Sequence, residues 1–301
     1  MNLLITGAWR CTPEQKAAIE ALGHQVRFQP EERAPLSVPE DWVEGVVCLD
    51  FFSNHAVEKL PNLCYIQQIS AGLDRLPLDK IRARGIKLNN ARGVYSVPMA
   101  EFALGGVLQL YKQSRFFWDN QRKSAWEKHR SLEELFGKRV CILGCGSIGT
   151  ECARRFAAFG CTVTGVARTG RDAEFYEHIY PVEALDTILP ETDILVLALP
   201  LTAQSRHIIG KDPLALLKPG AILVNLARGP VVDTAALLDW LREGKGRAVL
   251  DVFEEEPLPS DSPLWSLENA ILTPHNSFIS EGNGDRLWNL IYTNLKANRE
   301  V

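Results

Sequence analysis

VCILGCGSIGTECARRFAAFGCTVTGVAR, residues 140–168, decides the fold, and it sits in the middle of a 301-residue chain. Val140–Leu143 is a short apolar run that reads as a buried strand. Gly144, Gly146 and Gly149 follow at G-x-G-x-x-G spacing, then a helical pattern runs through Phe159 and a second strand is expected at Thr162–Val166. Each glycine has a physical task in that context: Gly144 allows the tight turn, Gly146 lets backbone approach a pyrophosphate, and Gly149 lets helix pack closely on strand. The pyrophosphate would rest on the N–H groups that open the helix, at Ser147 and Ile148, where the helix dipole favours negative charge. A glycine triplet alone also punctuates turns, but here strand, helix and second strand fall where a dinucleotide needs them. Everything before residue 140 must then form a second domain.

Composition fits an ordinary soluble enzyme, with 46% of residues apolar and 23% charged, and 301 residues are enough for two domains with full cores. A formal charge of -4 gives no electrostatic reason to expect nucleic acid or an anionic membrane as partner. No apolar run approaches transmembrane length. The start, MNLLITGAWR, has no basic leader, and Leu3–Thr6 reads as the first strand of the fold. The seven cysteines are odd in number and form no C-x-x-C pair, so we expect reduced thiols, a cytoplasmic location and no metal site.

Outward toward the N-terminus, strands are expected at Leu3–Thr6, Val26–Phe28, Gly45–Leu49, Tyr65–Ile69 and Ile86–Leu88, with helices at Pro13–Leu22 and Asp79–Arg84. Such alternation implies a parallel sheet covered on both faces. Ser70, Ala71 and Gly72 make a small-residue turn after the fourth strand, either an anion-binding turn or a plain connection to the next helix. A long apolar helix is expected from about Pro98 with Ser96 as its cap, and Glu101 either faces a cleft or, the preferred reading, favours the helix N-terminus through its charge. RFFWDNQRKSAWEKHR, residues 115–130, interleaves aromatic and basic residues, a pattern that reads as packing or a subunit interface in a chain of this net charge.

Toward the C-terminus, strands are expected in ILVLALPLT (194–202), AILVNLARG (221–229), Ala248–Val252 and Ala270–Leu272, with a helix at Thr234–Glu243. Arg228, Glu256 and His275 each stand just past a strand end, where reactive groups of such a sheet converge. In order and approximate spacing, ELFGKRVCILGCGSIG, ALPLT, LKPGAILVNLARGPVVDTAAL, LDVFEEEPL and ILTPH make the chain resemble the D-isomer-specific 2-hydroxyacid dehydrogenases. ISAGLD and the VPMAEFAL helix carry the resemblance into the first half.

That resemblance implies two Rossmann-like α/β domains with a cleft between them. A flavodoxin-like substrate domain would span 1–96 and 280–301, and a doubly wound dinucleotide-binding domain 97–279. It implies hydride transfer between NAD(P)H and a small 2-keto acid or D-2-hydroxy acid. His275 would be the general acid, Glu256 the partner of its imidazolium, and Arg228 the fork that holds substrate carboxylate and carbonyl. Backbone at Ala71 and Gly72 would help hold the substrate carboxylate. Leu199, Pro200, Thr202, Leu226 and Ala227 would line the nicotinamide side, with Asp251 near the nicotinamide amide. Asn276, Ser277 and Phe278 follow the histidine where many members carry an apolar or small residue. Members are usually homodimers through the dinucleotide domain, and a chain ending at residue 301 is expected to have no C-terminal regulatory domain.

Cofactor choice is expected from the end of the second dinucleotide strand. An acidic residue there takes hydrogen bonds from the adenosine ribose in NAD-binding versions. Here Ala167 holds that place, with Arg168, Thr169 and Arg171 behind it, so NADP is favoured over NAD. A reading from another class is a non-catalytic dinucleotide sensor of the corepressor kind, which need not keep an acid–base pair.

Overall fold

The computed structural model describes residues 1–298; the three last positions of the expected 280–301 segment lie outside the described residues. The chain divides into two compact units, Met1–Tyr95 with Ser280–Val301, and Ser96–Ile279.

In the first unit, β1 (Asn2–Thr6), α1 (Pro13–Ala21), β2 (Gln25–Gln29), β3 (Gly45–Cys48), β4 (Tyr65–Gln68), α2 (Leu78–Ala83) and β5 (Lys87–Asn89) form a parallel sheet of order β2-β1-β3-β4-β5. That is the flavodoxin-like order. The inner strands β1 and β3 are largely apolar without alternation because both faces are covered. Leu3 and Ile5 enter one core with Ile19 of α1, while Leu4 between them enters the other with Val46, Ile66 and Ile81. Leu287, Ile291 and Leu295, four residues apart on the last helix (Asn283–Ala297), close the first of these cores.

In the second unit, α3 (Ser96–Tyr111) and α4 (Ser114–Arg122) precede β6 (Arg139–Leu143), α5 (Ser147–Ala158), β7 (Thr162–Ala167), β8 (His178–Pro181), α6 (Leu185–Ile188), β9 (Ile194–Leu197), α7 (Lys211–Leu216), β10 (Ala221–Asn225), α8 (Thr234–Arg242), β11 (Gly246–Leu250) and β12 (Ala270–Leu272). The seven parallel strands run β12-β11-β10-β9-β6-β7-β8, so the order reverses between β6 and β9, the switch point of a doubly wound sheet. α3 presses on β11 through Gly106, whose added Cβ would lie 2.6 Å from Val249.

Two local expectations need correction, and one strand, β8, was not anticipated. β8 has no apolar run to announce it; HIYP is an edge strand, where Pro181 can pair without breaking a ladder. α3 begins at Ser96 itself, directly after a turn at 92–95, so Ser96 lies inside the first turn and its buried Oγ caps nothing. Glu101 pairs with Arg155 of α5 at 3.0 Å, a helix–helix contact in place of a dipole effect.

Candidate active site

The glycine turn separates what the protein needs from what a ligand would need. Gly144 has φ +104, and a Cβ there would lie 2.6 Å from the Ala198 backbone. A Cβ on Gly149 would stand 2.2 Å from the Gly144 carbonyl oxygen. Both glycines are therefore demanded by the chain's own packing. Gly146 is not: its φ is -85, and nothing lies within 4 Å of an added Cβ. It is also the N-cap of α5, with no side-chain cap for the N–H groups that open the helix at Ser147 and Ile148. A bare, open helix start behind a glycine fits the pyrophosphate of a dinucleotide.

β7 ends at Ala167, with Arg168 and Thr169 exposed behind it. Arg171 is braced differently: it bridges to Ile179, and its guanidinium donates to the Cys145 carbonyl in the glycine turn at 3.2 Å. In the same loop, the Asp172 carboxylate is engaged by His178 Nδ1 at 2.8 Å. Burial pushes the Cys145 thiol above its ordinary range, as befits a small apolar filler.

Past β9, Leu199 packs on the core, and a reciprocal turn follows. Thr202 N–H donates to Ser205 Oγ at 2.7 Å, Ser205 N–H donates to Thr202 Oγ1 at 3.2 Å, and Ser205 Oγ donates to the Pro200 carbonyl at 2.8 Å. Past β10, Leu226 and Ala227 are buried, and Asn225 holds the turn by accepting from Ala227 N–H and donating to the Arg228 carbonyl. Arg228, half-buried, donates to the Ala227 carbonyl at 2.8 Å. The next residue lies tight against the loop past β11, since a Cβ on Gly229 would meet the Phe253 carbonyl carbon at 1.8 Å.

Glu256 and His275 come together. His275 Nδ1 lies 2.8 Å from Glu256 Oε2, while Glu256 Oε1 accepts the Phe253 N–H at 3.0 Å. His275 has φ +51, a left-handed conformation that costs a non-glycine residue about 1–3 kcal/mol and persists only where surroundings impose it. Asp251 imposes it. Its carbonyl accepts the His275 N–H at 2.9 Å, and its buried carboxylate accepts from Thr273 Oγ1, Asn276 N–H and Ser277 N–H. Asp251, read from sequence as a nicotinamide neighbour, is thus the hub of the histidine turn. Phe278 packs edge-on to His275 with centroids 6.0 Å apart. With Nδ1 held by a carboxylate, the imidazole can deliver or take a proton at Nε2.

A family model described as "D-isomer specific 2-hydroxyacid dehydrogenase, NAD binding domain" matches residues 104–277. The chain belongs to the D-isomer specific 2-hydroxyacid dehydrogenase family. A glyoxylate reductase of Thermococcus gammatolerans is 34% identical over 303 residues, covering 96% of this chain and 90% of that relative. A D-isomer specific 2-hydroxyacid dehydrogenase of Xanthobacter autotrophicus, solved with NADPH and MES, superposes at TM-score 0.79 with 30% identity over 99% of this chain and 95% of that one. A D-lactate dehydrogenase of Aquifex aeolicus, solved with NAD and lactic acid, gives TM-score 0.80 at 26% identity over 99% and 96%. The family fixes the general chemistry as that of a 2-hydroxyacid dehydrogenase with a dinucleotide-binding domain.

In the first unit, the turn at Ala71 and Gly72 is braced by its own side chains: Asn90 Nδ2 donates to the Ala71 carbonyl at 2.7 Å and Ser70 Oγ to the Gly72 carbonyl at 2.7 Å. Sequence reasoning missed one arrangement in the second unit. His207 Nε2 lies 2.5 Å from Glu254 Oε1, a further imidazole–carboxylate pair whose carboxylate is two residues from Glu256. Glu254 sits in a run of three glutamates that reads as exposed charge; only its place in a strand-end loop could have marked it.

Proposed function

We propose that this chain reduces small 2-keto acids of the glyoxylate or hydroxypyruvate kind to D-2-hydroxy acids, with NADPH ahead of NADH. The observation that carries the reading is the Glu256–His275 hydrogen bond in a turn that Asp251 forces into a left-handed conformation. A pair held at that cost suits proton transfer better than surface charge does. His275 donates its Nε2 proton to the alkoxide that forms on the carbonyl carbon's oxygen, and Glu256 stabilises the imidazolium before that step. Arg228 orients the substrate carboxylate and carbonyl and offsets the charge that develops on the oxygen.

A nicotinamide dinucleotide, when bound, would supply the hydride. Gly146, Ser147 and Ile148 would hold its pyrophosphate in the turn that Gly144 and Gly149 shape, while Leu199, Pro200, Thr202, Leu226 and Ala227 would line the nicotinamide side, with Asp251 near the amide. Arg168 and Thr169 would hold the 2′-phosphate, with Arg171 bracing the loop. Ala167 offers no carboxylate to the ribose, and Asp172 is engaged by His178, which supports NADPH over NADH. The enzyme works as a cytoplasmic homodimer without nucleic-acid or membrane partners. Trp126, 95% exposed, and Phe136, 77% exposed, lie on the segment between α4 and β6 where a second copy would pack.

The test is steady-state reduction of glyoxylate, hydroxypyruvate, pyruvate and branched 2-keto acids with each reduced cofactor. Turnover of at least one short 2-keto acid is expected. Cofactor binding without turnover of any of them would overturn the reading in favour of a sensor.

A further inference from the structure

His207 leaves the loop after β9 in a left-handed conformation, φ +52, with its N–H donated to the Pro230 carbonyl at 2.8 Å. Its ring reaches Glu254, whose other oxygen accepts the Thr234 N–H at 3.2 Å, the first residue of α8. Burial pushes the Glu254 carboxyl upward, but the hydrogen bonds from Thr234 and His207 outweigh it and hold the group below its ordinary range. One side-chain pair therefore ties three strand-end segments: 198–207 after β9, 228–234 after β10, and 253–256 after β11. The backbone repeats the connection. Ile209 bridges to Val232, Gly229 is pressed on Phe253, and the Phe253 N–H in turn holds Glu256.

We propose that His207 and Glu254 form a positioning clamp that sets the loop of Pro200 and Thr202 in register with Arg228 and Glu256. The inference rests on the function proposed above, because those three segments are the ones assigned there to nicotinamide, substrate and proton transfer. The clamp touches neither substrate nor reacting atoms. It acts by fixing the segments that do, and the strained φ at His207 is what an imposed register requires. A surface ion pair with no positioning role would contribute to folding stability alone.

His207→Asn tests it: asparagine tolerates the left-handed conformation but is too short to reach Glu254. NADPH Kd, read by cofactor fluorescence, should rise about tenfold, the scale of one lost charge-assisted hydrogen bond, and kcat should fall by a comparable factor. His207→Gln, whose amide reaches as far as the imidazole nitrogen, should recover both values. Glu254→Ala should match His207→Asn, and the double variant should be no worse than either single one, as expected for one coupled unit. Kd and kcat near wild type in His207→Asn, with only the melting temperature lowered, would overturn the clamp. So would independent, additive losses in the double variant. A wild-type protein that binds NADPH but reduces no 2-keto acid would overturn the proposed function instead, and the Kd comparison would still decide the clamp.

Discussion

In the first unit β1 passes through Gly7 toward α1, and the chain closes that edge with its own groups. Thr12 Oγ1 accepts the Gln15 N–H at 3.2 Å, and Gln15 Oε1 accepts the Thr12 N–H at 3.0 Å, a capping box on the helix start. Beside it, Glu32 accepts from Thr6 Oγ1, on the last residue of β1, and from the N–H groups of Leu49 and Asp50, just past β3. In the second unit β6 enters a turn of three glycines, and α5 begins with no side-chain cap. The two sheets share a parallel doubly wound plan, and both reverse strand order beside the strand in question. Topology places N–H groups that can donate to an anion at both edges; of the two helices that follow, α1 is given a side-chain acceptor of its own and α5 is not. The comparison teaches that a ligand edge is recognised by what the chain withholds from it as much as by the fold.

The largest expected effect tests whether the chemistry lies in the second unit. His275→Ala should lower kcat by about 10²–10⁴ with NADPH affinity unchanged, measured by stopped-flow reduction and cofactor titration; a loss confined to affinity would place His275 in binding alone. Cofactor choice sharpens the open edge next. Ala167→Asp with Arg168→Ala should shift the kcat/KM ratio from NADPH toward NADH by about tenfold to a hundredfold, the scale of one or two charged contacts, and an unmoved ratio removes Arg168 from the site.

A smaller effect concerns the scaffold that carries the open edge. Burial raises the Glu133 carboxyl, but Arg247 at 2.6 Å and Lys138 at 3.3 Å outweigh it and hold the group below its usual value. A carboxyl lowered by folding stabilises above its unfolded pKa of about 4.3, and that stability is lost as pH falls through the folded value. Glu133 is more than a third exposed, so the contribution is about 0.5 kcal/mol. Glu133→Gln should lower the melting temperature slightly at pH 7, and the difference should shrink as pH falls below about 4. A difference independent of pH would show that the charge contributes nothing.

How much of this was legible in the sequence follows from where the physics is local. Val140–Leu143, Ile194–Leu197 and residues 221–224 of β10 are unbroken apolar runs because both faces of their sheet are covered, so the central strands could be read directly. β8 could not, since an edge strand needs neither alternation nor an apolar run. The pairing of Glu256 with His275 joins groups 19 residues apart, and family motifs made it readable. His207 with Glu254 spans 47 residues without such a motif, and the role of Asp251 as hub depends on a left-handed turn that sequence does not announce. Ser96 looked like a cap because residue type marks caps, yet burial decided otherwise.

The contrast between the two edges is tested most directly by NADPH titration of a matched pair, Gly146→Ala and Thr12→Ala. Each replaces an N-cap, and each should cost no more than about 1 kcal/mol of stability. The protein has room for a methyl group at Gly146, with nothing within 4 Å, so a loss of affinity there must come from the ligand's side. The account predicts that Gly146→Ala raises NADPH Kd about tenfold or more while Thr12→Ala leaves it unchanged. Equal affinity in the two variants, or a loss confined to Thr12→Ala, would contradict it.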